Sequence, residues 1–172
     1  MSEFFSSATA SSISRYVAAL ATCARQEGAP DTLLQAIADA ARNLIGCKLF
    51  TVMVFDAERF TVTRVFTSAP QEFPLGQTKQ KTRDGWAKGT LMTHQVNRMN
   101  TFDEISRAFE DGAILARMGI GAMLNVPVVY AGRCLGTMNL SHEAGWFTLE
   151  HERIGLVLAA FLAPTLLLNG NR

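Results

Sequence analysis

Charge of one sign is missing from this chain. Sixteen Lys and Arg residues face 15 Asp and Glu, a formal net charge of +1. No global field therefore draws the protein to nucleic acid or to an anionic membrane. Cysteine is also scarce. Cys23, Cys47 and Cys134 are odd in number and far apart. That argues against a disulfide framework and for reduced, packed thiols in a cytoplasmic protein. Long apolar runs are lacking too. The longest apolar uncharged stretch, 154–168, falls short of the roughly 20 residues that span a bilayer and contains Pro164. A buried or dimer-packed helix is the expectation there, not a membrane anchor. The first residues, MSEFFSSATASSIS, include Glu3 and lack the basic-then-apolar order of a signal peptide. No nucleophile elbow, phosphate-cradling loop or zinc ribbon is present. Gly119-Ile120-Gly121 precedes a strand rather than opening a helix, so it is no dinucleotide fingerprint.

What is present is enough apolar material for one domain. The 172 residues are 48% hydrophobic, near the globular average, and can bury a sizeable core. The chain is organised around MGIGAMLNVPVVYAGRCLGTMNLSHEAGW, residues 118–146. It reads as two strands folded back through Tyr130-Ala131-Gly132-Arg133, where the glycine suits a tight hairpin. Apolar residues on both faces of these strands predict a sheet covered on both sides.

Ahead of this hairpin, residues 2–12 are expected to fray. Ile13, Tyr16, Val17, Leu20 and Cys23 then recur at helical spacing. Asp31 offers an N-cap for a second helix carrying Leu33, Leu34, Ile37, Ala41, Leu44 and Ile45, closed by Gly46. The period changes at 49–55, which reads as a central strand, and 60–67 as a more exposed, edge-side one. Residues 68–84 are irregular, with a basic cluster of Lys79, Lys81 and Arg83 that reads as solvated. A helical turn is expected near 84–91 and a short strand near 94–98. Thr101 with Glu104 forms a capping-box pattern for the next helix, and Thr148 caps the last. No internal repeat is visible.

Three segments carry a family resemblance: Asn125-Val126-Pro127-Val128, Gly136-Thr137-Met138-Asn139-Leu140, and Gly145-Trp146-Phe147-Thr148 at the final helix. In this order and spacing they resemble a GAF domain, over roughly residues 31–166. The resemblance implies an α+β fold of three layers (α/β/α). A central antiparallel sheet would carry the N- and C-terminal helices on one face, with short helices and loops covering the other. It also implies a division of the chain. Residues 1–30 would be an N-terminal segment and helix that helps form a dimer, 31–168 the GAF-like domain, and 169–172 a frayed tail. Members bind cyclic nucleotides, tetrapyrroles, haem or small metabolites, or serve as dimerisation modules, so the family does not name a ligand.

The specific activities can be weighed residue by residue. Against the cyclic-nucleotide signature Asn139, Phe147 and Glu152 match, but Leu140 and His151 replace its charge pair. A free methionine sulfoxide reductase, the enzymatic alternative, needs paired thiols in its pocket, and residues 86–118 contain no cysteine. Bilin attachment fails on the same ground. Haem would need an axial histidine, and His94 is the lesser alternative for it. His142 and His151 with their neighbouring glutamates fit no metal spacing, so no metal site and no cofactor are predicted. The residues expected to line a ligand pocket are Trp86, Leu91, Phe102, Phe109 and Leu115 from the cover, with Asn125, Thr137 and Asn139 from the sheet. Whether the two asparagines share a face depends on the hairpin. A three-residue loop pairs them, whereas a two-residue loop sets Asn139 opposite Leu124. The expectation is a non-enzymatic, homodimeric sensor or regulatory module, cytoplasmic, binding a small organic ligand and acting on a separate signalling partner. A ligand-free dimerisation scaffold is the structural alternative.

Overall fold

A computed structural model describes residues 7–26 and 28–169 of the chain. Two helices come first, α1 (Ser7–Cys23) and α2 (Ala29–Leu44). Strands β1 (Leu49–Asp56), β2 (Thr61–Thr67) and β3 (Thr78–Gln80) follow. A connecting region holds α3 (Gly85–Ala87), a π-helical turn (Lys88–Met92), β4 (Asn97–Met99), α4 (Phe102–Ala108) and α5 (Gly112–Arg117). The hairpin β5 (Ala122–Tyr130) and β6 (Arg133–His142) leads into the long α6 (Leu149–Asn169). The six strands described form one sheet in the order β3-β2-β1-β6-β5-β4, with every neighbouring pair antiparallel. This is the expected α+β architecture.

Strand alternation assigns the two faces. Phe50, Val52, Leu124, Val126, Met138 and Leu140 point to one side, all at 0% exposure. There they meet Leu34, Ile37 and Ala41 of α2 and Ile154, Leu158, Leu162 and Leu166 of α6. Gly155 lets α6 lie close to the sheet, since a Cβ there would stand 2.9 Å from a Val126 methyl. Among the described residues, Leu149–Leu168 is one helix long and apolar enough to cross a bilayer. Here its inner face is part of this core.

Several expectations need correction. Residues 7–12 are helical and begin α1, whereas 2–6 and 170–172 lie outside the described residues. Asp31 is not the cap of α2. The helix starts earlier, with Gly28 at the N-cap (φ 78°) and Pro30 in the first turn, where a missing N–H costs nothing. Asp31 sits in that turn, its charge favourable to the helix dipole. β2 is not an edge strand, because the irregular segment contributes β3, which pairs along its outer side.

The hairpin resolves its two alternatives in an unexpected way. The turn has two residues, Ala131 (φ 49°) and Gly132 (φ 74°), between the paired Tyr130 and Arg133. That alone would separate the two asparagines. A bulge between Val128 and Val129 leaves Leu135 without a partner and shifts the register by one, so Asn125 pairs with Asn139. A two-residue turn thus gives the register of a three-residue loop. Both expected caps are formed. Thr101 and Glu104 make the complete capping box, and Thr148 Oγ1 accepts the His151 N–H at 3.3 Å.

Candidate functional site

The second face of the sheet carries a row of polar side chains among apolar ones such as Leu49, Met53 and Met123. Thr51, Asn125 and Asn139 align across β1, β5 and β6, and Asn97 of β4 continues the row. Their side chains are linked in sequence. Asn97 Nδ2 donates to Asn125 Oδ1 at 3.0 Å, and Asn125 Nδ2 donates to Asn139 Oδ1 at 2.9 Å. Asn139 Nδ2 then donates to Thr51 Oγ1 at 3.2 Å. Each amide uses one N–H here and retains a second.

Above this row, the chain from β3 to α5 forms a cover. Between cover and sheet lies a cavity of ≈ 80 Å³. A water needs about 10–15 Å³ on a comparable measure, so the space holds roughly five to eight water-sized groups. Its floor includes Thr51, Met53, Met123, Asn125, Thr137 and Asn139. Its walls and roof include Arg64, Lys79, Lys81, Trp86, Phe109 and Asp111. Six of the eight residues expected at a pocket line it: Trp86, Phe109, Leu115, Asn125, Thr137 and Asn139. Leu91 and Phe102 do not. Leu91 is buried among Phe60, Val62 and Ala87, locking the π-helical turn to the sheet. Phe102 stands in the first turn of α4, 37% exposed. Its capping box aims that turn outward. His94 is outside the lining as well, at a positive φ of 58° between the π-helical turn and β4.

The cavity also gathers charge that the sequence reading assigned to solvent. Arg64 of β2 is only 5% exposed. Its Nη1 donates to Pro74 O at 3.0 Å and to Gln77 Oε1 at 2.7 Å, and its guanidinium lies over Phe73. Lys79 forms an ion pair with Asp111, tying the edge strand to the start of α5. Lys81 lies over the rings of Trp86 and Phe109, 5.2 and 5.9 Å from their centroids. Burial pushes the Lys81 pKa down, and Lys79 adds to the effect. Burial likewise lowers Arg64, partly offset by Asp111. Trp86 and Phe109 pack edge to face, 5.4 Å between centroids. Lys79, Lys81, Trp86 and Phe109 also border a groove outside the cavity, so these four stand at its mouth.

Five buried side-chain N or O atoms among the described residues have no hydrogen-bond partner. Three of them, Arg64 Nε, Trp86 Nε1 and Thr137 Oγ1, belong to residues of this one cavity. Such groups cost about 1–3 kcal/mol each when unsatisfied, so their convergence makes this cavity the candidate site. The alternation of β1 and β2 carries a signal for Thr51 and Arg64, but only once the register is known. The i, i+2 spacing of Lys79 and Lys81 carries one for a strand end with both lysines on one side.

The cysteines are elsewhere. Cys23, Cys47 and Cys134 are all free and none lines the cavity. Burial holds the Cys134 thiol at about 11 and raises Cys47 as well, so both stay protonated at neutral pH. No group of three potential metal-ligating side chains converges among the described residues.

Known proteins share this fold. The GAF domain of an Acinetobacter phosphoenolpyruvate-protein phosphotransferase superposes with a TM-score of 0.73, at 12% identity, covering 97% of each chain. The corresponding domain from Coxiella burnetii gives 0.77 at 13% identity, covering 94% of this chain and 96% of that one. The chromophore-binding domain of a Stigmatella aurantiaca bacteriophytochrome gives 0.67 at 15% identity, covering 94% of this chain and 60% of that one. At such identities these likenesses speak for the fold alone. No curated protein sequence matches. The family model for the GAF domain matches residues 29–166, four-fifths of the chain and the whole sheet with its covers. With hairpin, amide row and covered cavity in place, the chain belongs to the GAF domain family.

Proposed function

We propose that this protein is a small-molecule sensor whose ligand occupies the cavity between the sheet and the 85–118 cover, and that it works as a homodimer. GAF domains are sensor and regulatory modules. The observation that carries the ligand reading for this chain is the convergence of three unpartnered polar atoms on a single cavity. A structural core would have satisfied or replaced them. Occupancy would order the cover and bias how the outer helices pack, a population shift between two arrangements. Output would pass to a separate partner. The reading is non-enzymatic, since the cavity offers neither a thiolate nor a nucleophile with a base beside it.

Native mass spectrometry of freshly purified protein tests this directly. A co-purified mass that is lost when Trp86 and Asn139 are substituted is the expected result. A chain that binds no small molecule under any condition would leave the scaffold reading. That second reading has its own support in α6, whose outward Leu149, Leu156, Leu167 and Leu168 are exposed. The homodimer is tested by sizing in solution. A monomer at high concentration would remove both the dimer and the scaffold.

A further inference from the structure

The cavity is polar in one particular way. Arg64 Nε and Trp86 Nε1 can only donate, and neither has an acceptor. Thr137 Oγ1 adds a third unmatched group, a hydroxyl, and the amide row keeps further N–H groups below it. The charges point the same way. Arg64, Lys79 and Lys81 face the cavity with Asp111 as the one carboxylate among its lining residues, an excess of two positive charges in the lining that Glu110, at the groove outside, offsets only in part at Lys81. No carboxylate of the described residues stands within ion-pair distance of Lys81, which rests on aromatic faces instead. Of the three cations, Arg64 is the buried one, and its acceptors, Pro74 O and Gln77 Oε1, are neutral, so a buried cation there is costly unless an anion comes to it.

We infer that the ligand of this cavity is a small organic dianion, a dicarboxylate of about four carbons, held by Arg64, Lys79 and Lys81 in competition with Asp111. This rests on the reading of the cavity as a ligand site and names its chemistry. Two negative charges match the excess of positive charge in the lining, and the roughly eight non-hydrogen atoms of a four-carbon dicarboxylate match the upper end of what the space holds. Donors at both the charged wall and the amide floor suit a molecule with acceptor oxygens at each end. Asp111 already provides the site with one carboxylate, from the chain itself, on Lys79. A ligand carboxylate that takes Lys79 releases Asp111. Asp111 opens α5, and Phe109 two residues earlier stands at the mouth. The exchange of one anion for another therefore moves the cover.

The test uses the full chain, with calorimetric titration and thermal unfolding. The probes are succinate, glutarate and adipate, the diamides of the same acids, and inorganic phosphate. At least one dicarboxylate should bind saturably and raise the melting temperature, with its diamide inert. Lys81→Gln should weaken that binding by about tenfold or more, and Lys81→Arg should retain it within about threefold. Asp111→Asn should tighten it by about threefold or more, because the internal competitor is gone. A purely structural Asp111 predicts the opposite sign, weaker binding together with lower stability. Dicarboxylates inert toward both the wild type and Asp111→Asn would overturn the inference. So would equal binding of the diamides, or binding of phosphate alone. A neutral co-purified molecule in the cavity would overturn the anion while leaving the sensor standing. An empty cavity with every probe inert would overturn both.

Discussion

Two faces of one sheet, separated by a single step along each strand, are built on opposite rules. Toward α2 and α6 the side chains are Phe50, Val52, Leu124, Val126, Met138 and Leu140, all at 0% exposure. Toward the cover, Thr51, Asn125, Thr137, Asn139 and Ser141 are also sheltered from solvent but polar, set among the buried Leu49, Met53, Val62 and Met123. The backbone ladder is common to both. The stability gained by burial is concentrated on the first face, at about 25 cal/mol per Å² of apolar surface removed from water. The second face keeps hydroxyls and amides that need partners, and three side chains around it go without. A domain that only had to fold would gain by making the faces alike. The asymmetry is what the proposed ligand reading expects: apolar packing on the helix side, and hydrogen-bonding groups held open on the cover side.

Substitutions can break this contrast in a graded way. The largest effect belongs to Leu140→Ala on the helix face. Deleting a fully buried leucine should cost about 2–5 kcal/mol, read as a lower denaturant midpoint with an unchanged slope. Ligand affinity per folded molecule should stay the same. Asn125→Leu comes next. It leaves Asn97 Nδ2 without an acceptor and Asn139 Oδ1 without its donor, so about 1–3 kcal/mol of stability should go, and ligand binding with it. Thr137→Val has a smaller effect of the opposite sign. It replaces an unpartnered hydroxyl with a methyl of similar volume, and the ligand-free protein should gain up to about 1 kcal/mol while binding weakens. Loss of stability with Thr137→Val would show that the hydroxyl already has a partner in the empty protein, and would weaken the contrast between faces.

How much of this could be read from the chain differs between the faces. The helix face was legible because its signals are local: apolar periodicity for α2, β-branched and aromatic runs for β1, caps at Thr101 and Thr148. The cavity face was legible only in part. Trp86, Phe109, Asn125 and Asn139 stand out by residue type, but the shared face of the asparagines depends on a bulge at Leu135 that no local pattern announces. Lys79 and Lys81 were hidden differently. A short basic cluster in an irregular stretch looks solvated, and only the pairing of β3 on β2 turns it inward. Arg64 was masked by its neighbours, since a charged residue among threonines reads as an exposed strand. Its burial follows from Phe73 and from acceptors at Pro74 and Gln77, ten or more residues further along.

The smallest predicted effect tests how the helix face is anchored at its edge. His151 is the third residue of α6, and its Nδ1 accepts the Thr148 N–H at 3.4 Å while Thr148 Oγ1 accepts its own N–H. This is a capping box with an imidazole in place of the usual Glu or Gln. Nδ1 can accept only when unprotonated. Burial first, and then His142, push the His151 pKa below its ordinary 6.5, with Glu150 opposing. His142, stacked on Trp146, is lowered too, again chiefly by burial. Between the folded and unfolded pKa values the unfolded chain binds more protons. The contribution is therefore fully present above pH 6.5 and is lost as pH falls through the depressed folded values. His151→Gln keeps the acceptor and removes the titration. It should match the wild type in denaturant unfolding at pH 7.5 and exceed it at pH 5, with the slope reduced rather than abolished because His142 still titrates. A variant whose pH profile overlays that of the wild type would mean that the α6 cap does not depend on the charge state of this ring.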